Sequence, residues 1–567
     1  MSKSVQRAPQ MSSLVLLTIS VLCTHWMAFV NEGIFAEDAG LFPSLFFKDW
    51  DAIMNMYSSA AVPMFTYYVW PLSYIPNVFL LKAIVIFGIY IAVIFSYLIG
   101  VKCGFLTERE AFYIALFSNL LPITTVTVII TYSTYFNAYA LFLVATYLFI
   151  SVERTRGSYY YLVRVASIFI YFVSFTLNSL LVLYAAAFIL AFLIHVNQAA
   201  RQVGNLRELI FTFLSFCRSK IDFTVLPIVY WLHKGLFYEK TGLYSNYNSF
   251  DLDIPSLANN SYRFLVNGIV GPIGIWPVVI GFGDLNFYVI SAVFVYSTIF
   301  VTLFFLLRTR NAENPDINNR KPDGGLKIIS FGLFLLLCGT LPYILVGKSP
   351  ELGVLMRNAI LMPLPLAVIA VGVLQFLQRK APSLQGKRTS FVLLLIVLTL
   401  FTNRWWESYA AWQARAAKDL AVSQYLIDNP QWSTFSNYWI TDKFPMPGEA
   451  SEYGFADYTS KFHIIWGGQT RMAFTPQHME FFGIDSAPGV RPVHSTYPAR
   501  IAFFCDAWAS AKDIDLSGPQ AELEISSKKS SWDNASLAYE YLYFRFIRPS
   551  ELKTHLSGLV SVTLRAL

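Results

Sequence analysis

Residues 31–51 read NEGIFAEDAGLFPSLFFKDWD, a polar and acidic stretch that directly follows the first long apolar run of the chain. Glu37 and Asp38 are adjacent carboxylates just beyond the end of that run, and Asp49 and Asp51 follow in the same stretch. Charge close to a membrane is costly and usually has a functional reason. The stretch is therefore predicted to be the first loop outside the membrane and to carry the chemistry.

The composition around this stretch is that of a membrane protein. The chain has 567 residues, of which 55% are hydrophobic and only 14% are charged, whereas soluble proteins have about 25% charged residues. Apolar runs recur from residue 11 to residue 401, and runs of about 18 residues or more can cross a hydrocarbon core of about 30 Å. We interpret the net charge of +7 as basic cytoplasmic loops, and not as a nucleic-acid binding surface.

The apolar runs predict an α-helical polytopic protein with about eleven spans and a cytoplasmic N-terminus, because the strongly basic short loops then all lie on one side. Residues 264–282 are rich in Gly and Pro and are predicted to be re-entrant or interfacial, since a further crossing would invert all later spans. The predicted spans are residues 11–30, 77–100, 111–130, 136–152, 164–177, 180–196, 222–237, 287–307, 328–346, 357–376 and 390–401.

Two domains follow from this topology. Residues 1–402 form the transmembrane domain, and its first outer loop, residues 31–76, contains aromatic segments that suit interfacial helices at 42–50 and 57–70. Residues 403–567 have ordinary polarity and form a soluble α/β domain on the outer side. For this domain we expect a leading helix at residues 405–427 and short aromatic strands at residues 435–440 and 537–547.

The adjacent carboxylates Glu37 and Asp38 are the first candidate site. A carboxylate at the membrane surface can act as a general base that takes the proton of an acceptor hydroxyl. The alternative is structural: solvated loop acids, or negative charge that stabilises the N-terminus of the helix that follows.

Cations near the outer face form the second candidate site. His233, Lys234 and Lys240 can hold a lipid-linked phosphate through charge-assisted hydrogen bonds, although Lys234 can also simply extend into the headgroup layer. Arg357 opens a span from the outer side, against the usual distribution of basic residues. It is predicted to bind a phosphate or, alternatively, to pair with Glu351.

Other signals limit the chemistry. Tyr247 and Asn248 offer a ring and an amide of the kind that bind sugars. The sequence has no Walker, Rossmann, HExxH or GxSxG motif, which disfavours an ATP-driven pump, a dehydrogenase, a zinc protease and an elbow-type hydrolase. The five cysteines are not spaced as a zinc site or disulfide framework. The loop carboxylates can supply oxygens to a divalent metal, but protein cations can stabilise a phosphate leaving group, so no cofactor is predicted.

This arrangement resembles the GT-C superfamily of integral membrane glycosyltransferases. The resemblance rests on Glu37-Asp38 in the loop after the first span, the many spans, and the outer domain from residue 403. It implies a polyprenyl-phosphate sugar donor and an inverting transfer in which a loop carboxylate is the base. The chain has no His-Pro-Asp-Glu string, which leaves the choice between the two carboxylates open. It also has no WWDYG-like motif, which argues against an oligosaccharyltransferase acting on proteins.

The resulting hypothesis is a bacterial inner-membrane glycosyltransferase that faces the periplasm and modifies a cell-envelope glycan, lipid or polysaccharide. Asp38 would be the base, assisted by Glu37, and His233, Lys234 and Arg357 would hold the donor phosphate. One alternative is a polymerase or ligase of lipid-linked glycans that depends on outer arginines. The other is a lipid or polysaccharide transporter without enzymatic activity.

Overall fold

The chain folds into a long helical bundle with a small mixed sheet at its C-terminal end. The largest hydrophobic cluster contains buried residues of the bundle and of the C-terminal sheet alike. The computed structural model describes residues 10–35, 38–70, 74, 77–152, 157–198, 205–239, 250, 253–270, 287–309, 324–351, 353–380, 387–446, 450, 455–467, 471–475, 518–528 and 533–567.

Nineteen α-helices lie within these described residues. In chain order they are α1 (Met11–Phe29), α2 (Asp38–Phe46), α3 (Trp50–Ser59), α4 (Met64–Val69), α5 (Val78–Cys103), α6 (Glu108–Leu120), α7 (Ser133–Val152), α8 (Ser158–Ser174), α9 (Ser179–Gln198), α10 (Leu206–Ser219), α11 (Ile221–Phe237), α12 (Ile254–Leu265), α13 (Phe287–Thr309), α14 (Gly324–Leu345), α15 (Pro363–Lys380), α16 (Lys387–Asp428), α17 (Phe455–Trp466), α18 (Asn534–Phe546) and α19 (Leu552–Leu559).

Several helices have the length and apolarity of membrane spans, so the expectation of a helical membrane protein is confirmed at this level. The predicted number of eleven spans remains a prediction. Six segments are long and apolar enough to cross a membrane: Met11–Phe29, Val78–Cys103, Ile130–Val152, Ser179–Asn197, Gly324–Leu345 and Phe391–Asp428. Three shorter apolar segments are Ser158–Ser174, Ser291–Leu306 and Pro363–Gln378.

The loop after α1 contains three short helices, α2 to α4, in place of the two predicted interfacial segments. The break between α2 and α3 falls at Lys48, whose φ is +58°, and at Asp49, which accepts a hydrogen bond from the Ala52 amide at 3.1 Å and so caps α3. We use the term loop face for the end of the bundle at which α1 ends and α5 begins.

The third predicted span, residues 111–130, is wrong as a continuous helix. The helix α6 ends at Leu120, and two 3-10 turns, Thr125–Val128 and Ile130–Tyr132, lead into α7. Pro122 explains the break, because the residue before a proline is disfavoured in the helical region, and Leu121 has ψ +114°. The β-branched residues that follow also have low helix propensity. We call the segment from Thr125 to Tyr132 the broken segment.

The helix α16 joins the two predicted domains without interruption. It has 42 residues and, at 1.5 Å per residue, a length of about 63 Å. The predicted last span and the predicted leading helix are therefore one helix, and the boundary drawn after residue 402 falls inside it. The C-terminal domain is thus attached to the bundle through a helix.

The C-terminal sheet has the strand order β2-β1-β3-β4, formed by β1 (Asn437–Asp442), β2 (Met472–Phe474), β3 (Gln520–Ser527) and β4 (Val560–Ala566). Strand β1 is parallel to β2 and β3, and β4 is antiparallel to β3. The strand predicted at residues 435–440 corresponds to β1.

The strand predicted at residues 537–547 is wrong, because this segment is the helix α18. Asp533 caps the helix by accepting hydrogen bonds from the amides of Ala535 and Ser536. The buried residues follow helical spacing: Ala535, Leu537, Ala538, Tyr541 and Leu542.

The Gly-rich segment predicted to be re-entrant, residues 264–282, is described only in part. Its first residues complete α12 and form one π-helical turn, Val266–Val270. Residues 271–286 lie outside the described residues.

Candidate functional site

Asp38 opens α2 and is completely buried. One carboxylate oxygen accepts a hydrogen bond from the Ile130 amide at 2.7 Å. The other accepts from the Thr131 amide at 2.6 Å and from the Thr131 hydroxyl at 2.8 Å. Both amides lie in the broken segment, where they start a 3-10 turn and are free to donate outside the helix. We call residues 31–51 the acidic loop. Asp38 therefore binds the acidic loop to the broken segment.

Lys82, near the start of α5, carries the positive charge that lowers the pKa of Asp38. It is completely buried, and its ammonium group donates to the Val128 carbonyl oxygen. Burial raises the pKa of Asp38 to about 6, and the charge of Lys82 and the hydrogen bonds from Ile130 and Thr131 oppose this rise. Sequence reasoning missed Lys82. The available signal was a charge inside an otherwise uncharged apolar run.

Phe35 fixes the chain just before the acidic pair. Its ring is completely buried and lies 5.0 Å from the Lys82 ammonium nitrogen and 5.2 Å from the Arg415 guanidinium carbon. The Trp412 ring is 4.9 Å away. These cation–π and aromatic contacts hold the loop between α5 and α16.

Glu32 connects the start of the loop to the C-terminal domain. Its carboxylate accepts a hydrogen bond from Arg545 Nη2 at 2.5 Å and another from the Tyr541 hydroxyl. Both partners belong to α18, more than 500 residues away in sequence. No sequence signal identified this contact, because the segment of α18 was predicted as a strand.

Arg357 lies in the 3-10 turn Val354–Ala359 between α14 and α15. Its Nη1 donates to the Tyr132 hydroxyl at 3.0 Å, and its guanidinium carbon is 5.4 Å from the Tyr132 ring centroid. Tyr132 follows Thr131, so Asp38 and Arg357 hold neighbouring residues of the broken segment. Glu351, the alternative partner predicted for Arg357, pairs with Arg263.

His233 and Lys234 lie at the end of α11, which is also at the loop face. Lys234 Nζ donates to Asn178 Oδ1 at 2.9 Å, in the turn between α8 and α9. The His233 ring packs against Phe172 and Phe237, with centroid distances of 5.4 and 5.0 Å. The contacts of this pair are with the turn between α8 and α9 and with aromatic rings of α8 and α11, whereas Arg357 contacts the broken segment.

The remaining predicted site residues are Glu37, Lys240, Tyr247 and Asn248, and they lie outside the described residues. Within the described part of the chain, no three His, Cys, Asp or Glu side chains are grouped as a metal site. The carboxylate of Asp49, one of the suggested metal ligands, caps α3.

A buried hydrogen-bond chain supports the broken segment from the side of α16. The Tyr409 hydroxyl lies 2.6 Å from Thr127 Oγ1 and 2.5 Å from His25 Nδ1. The other ring nitrogen of His25 is 3.1 Å from Asn119 Oδ1, which makes Nδ1 the acceptor and the Tyr409 hydroxyl its donor. These residues line a cavity of about 50 Å³, except Tyr409. The chain ties α1 and α16 to the broken segment.

Buried ion pairs connect α16 with the C-terminal domain. Arg415 Nη2 lies 2.9 Å from Asp457 Oδ1, and both side chains are 1% exposed. Lys418, also on α16, pairs with Asp442 at the end of β1. Removing one partner of a buried ion pair leaves an uncompensated charge, so these contacts stabilise the packing of the C-terminal domain against the extension of α16.

A scan of family models gave no match to this chain, and neither did a search of curated proteins. The resemblance to GT-C glycosyltransferases therefore rests on the acidic loop, the membrane helices and the C-terminal domain.

Proposed function

We propose that this protein is a membrane glycosyltransferase of the GT-C type. It transfers a sugar from a polyprenyl-phosphate donor to an acceptor hydroxyl at the loop face, which we assign to the periplasmic side of a bacterial inner membrane. The observation that carries the proposal is the broken segment, whose neighbouring residues Thr131 and Tyr132 bind Asp38 and Arg357 respectively. An acid and a cation are thereby held at one turn near the end of the membrane helices.

The proposed reaction is an inverting displacement. A carboxylate of the acidic loop accepts the proton of the acceptor hydroxyl, and the hydroxyl oxygen attacks the anomeric carbon of the donor sugar. The bond between that carbon and the phosphate oxygen breaks, and its electrons go to the phosphate. Polyprenyl phosphate leaves and the acceptor gains the sugar. The membrane holds the donor next to the loop, which lowers the entropic cost of the encounter.

The burial of Asp38 supports a division of roles between the two carboxylates. Asp38 accepts three hydrogen bonds and has no exposed surface, as expected of a residue that fixes the loop. Glu37 precedes it directly in the sequence, so a fixed Asp38 restricts where Glu37 can lie. We assign the proton transfer to Glu37 and the positioning of the loop to Asp38, which reverses the order of preference from the sequence alone.

Arg357 is the proposed phosphate ligand. Arginine presents a planar set of donors that fits a phosphate, and Arg357 is already held beside the broken segment by the Tyr132 hydroxyl. Lys234 and His233 lie at the end of α11 and are proposed to contact the donor during its entry or release. Protein cations stabilise the leaving phosphate in this scheme, so it requires no metal.

A transporter is the second candidate function. Lys82 and His25 are ionisable side chains buried within membrane-type helices, which is the pattern expected of a translocation pathway. Both are engaged in hydrogen bonds that support the broken segment, and for this reason we favour the transferase.

The test uses the full chain reconstituted in vesicles with a membrane extract that contains radiolabelled polyprenyl-phosphate sugars. The transferase predicts labelled product with the wild type and its loss in both Glu37→Gln and Arg357→Ala. A polymerase or ligase predicts loss in Arg357→Ala with full activity in Glu37→Gln and Asp38→Asn. Movement of labelled lipid across the membrane without any transfer indicates a transporter.

A further inference from the structure

The helix α10 lies between α9 and α11 in the chain, at the end of the bundle opposite the loop face. The helix α9 begins directly after Asn178, which bonds to Lys234 at the loop face. It has 20 residues and therefore extends about 30 Å away from that face. The helix α11 returns to the loop face, where Lys234 lies in its last turn. The helix α10 is thus placed near the opposite membrane surface.

Two phenylalanines attach α10 to α9. The Phe216 ring is 1% exposed, and its centroid lies 5.2 Å from those of Phe188 and His195. The Phe213 centroid lies 5.1 Å from that of Phe192. Phe188 is ten residues, or about 15 Å, before the end of α9, which has the length and apolarity of a membrane span. The C-terminal half of α10 thus lies at the depth of the membrane helices.

An apolar strip on α10 is left uncovered by the rest of the chain. Leu206, Ile210 and Leu214 recur every fourth residue, so they share one side of the helix, and they are 72%, 50% and 56% exposed. Residues 205–211 are all exposed, so the first half of α10 projects from the bundle. Because the strip adjoins the side that packs on a membrane-type helix, the bilayer is the partner that covers it.

Two arginines flank this strip. Arg207 and Arg218 are eleven residues apart, about three turns, and therefore lie on one side of the helix. Both are exposed, and the Arg207 guanidinium carbon is 5.7 Å from the Phe211 ring centroid. Glu208 and Ser215 are about two turns apart on the side away from the strip. Around its axis, α10 therefore presents an apolar strip, then cations, then polar groups, which is the order of acyl chains, phosphates and water at a membrane surface.

We propose that α10 is an interfacial helix that binds acidic phospholipids in the leaflet opposite the loop face. Its apolar strip lies among the upper parts of the acyl chains. Arg207 and Arg218 donate charge-assisted hydrogen bonds to the lipid phosphates. This attachment goes beyond the proposed transfer reaction and is independent of it, since the groups assigned to that reaction belong to the loop face.

The position of the helix is tested with nitroxide labels on the full chain, reconstituted in vesicles of phosphatidylcholine and phosphatidylglycerol. In a background without native cysteines, Leu214→Cys places the label on the apolar strip, and Ser215→Cys places it on the polar side. Both positions are exposed. Oxygen, which partitions into lipid, should relax the label at Leu214→Cys more strongly than a water-soluble nickel chelate does, and the order should be reversed at Ser215→Cys.

Two results of this measurement would overturn the proposal. A stronger effect of the chelate at both sites would mean that the strip faces water. A stronger effect of oxygen at both sites would mean that α10 is immersed in the hydrocarbon core.

The preference for acidic lipid is tested with a bimane fluorophore on Leu214→Cys and brominated lipids as quenchers. Brominated phosphatidylglycerol should quench more strongly than brominated phosphatidylcholine at equal content. The enrichment of acidic lipid derived from this difference should fall about fivefold in Arg207→Gln and in Arg218→Gln, the effect of one cation at an acidic membrane surface. Arg109→Gln, at the start of α6 on the same face, is the matched control because Arg109 is also exposed. Equal quenching by both lipids, or an equal loss in Arg109→Gln, would refute the assignment to acidic phospholipid.

Discussion

At the residue scale, Asp38 combines two properties that rarely occur together. Its carboxylate has no exposed surface, yet three donors and a nearby ammonium group favour its charged form. Removing such an acceptor leaves buried amide groups without a partner, which costs about 1–3 kcal/mol per group. A carboxylate held this firmly is better suited to fixing a loop than to moving toward a substrate.

The two carboxylates are therefore expected to respond differently to amide substitution. Glu37→Gln should lower transfer by about 10²–10⁴-fold, the range of a lost general base, with an unchanged thermal transition. Asp38→Asn should lower both activity and thermal stability, because an amide nitrogen would oppose an N–H donor of Ile130 or Thr131. Thermal unfolding monitored by fluorescence and the transfer assay separate these outcomes. The reverse pattern would make Asp38 the base.

The acidic limb of the pH dependence of transfer should include the ionisation of Asp38, because Asp38 positions the loop that carries the proposed base Glu37. The pKa of Asp38 is raised to about 6, so its ionised form is lost as the pH falls through this value, and activity should fall with it. Lys82→Met should shift this acidic limb to higher pH, because the charge of Lys82 lowers the pKa of Asp38. Lys102→Met, at the other end of α5, is the control and should leave the limb in place. An unshifted limb in Lys82→Met would contradict this account of Asp38.

At the element scale, the broken segment organises the loop face. It donates hydrogen bonds to Asp38 and to the Tyr409 hydroxyl. It accepts hydrogen bonds from Lys82 and Arg357. In a regular helix the backbone N–H and C=O groups bond to each other, so none would be available to these partners. The interruption of the third predicted span at Pro122 is thus what makes the site possible.

The acidic loop and the apolar helices were predictable because each has a local signal in the sequence. The loop is marked by charged residues after an apolar run, and the helices are marked by the length and apolarity of their runs. The contacts that assemble the site were not, since Glu32 and Tyr541 are 509 residues apart and His25 and Tyr409 are 384 apart. The segment of α18 was misassigned because its aromatic residues at alternate positions have high strand propensity. The cap at Asp533 was the local signal for a helix.

The contact between Glu32 and α18 should couple the acidic loop to the C-terminal domain. In a double-mutant cycle of Glu32→Gln and Arg545→Met, thermal unfolding should give a coupling energy of about 1 kcal/mol. Both single variants should also lower transfer, because the loop loses one of its anchors. The exposed pair of Arg548 and Glu551 is the control and should show negligible coupling. Additive effects of Glu32→Gln and Arg545→Met would contradict the predicted coupling of this ion pair.

At the scale of the whole molecule, one helix unites the bundle and the C-terminal domain. The helix α16 runs through both, and the buried pairs at Arg415 and Lys418 lie on its extension. The helix α18 of the C-terminal domain contacts the acidic loop directly, so we expect the two to lie on the same side of the membrane.

This arrangement predicts the accessibility of single cysteines in intact cells. In a background without native cysteines, Thr554→Cys in α19 should react with a membrane-impermeant maleimide. Ser158→Cys, at the start of α8 on the opposite face, should react only after permeabilisation. Both positions are exposed on the protein surface, so a difference reports the membrane side. Labelling of Ser158→Cys alone in intact cells would contradict the proposed topology, in which the acidic loop faces the periplasm.

Whether the acidic loop carries out the transfer can be measured directly from both products of the reaction. Reconstituted wild-type protein is supplied with polyprenyl-phosphate sugars in a membrane extract, and released polyprenyl phosphate and glycosylated acceptor are quantified by mass spectrometry. We expect the two products in equal amounts from the wild type and neither from Glu37→Gln. Equal yields from the wild type and from variants in which both Glu37 and Asp38 are replaced by amides would contradict the claim that this loop carries the chemistry.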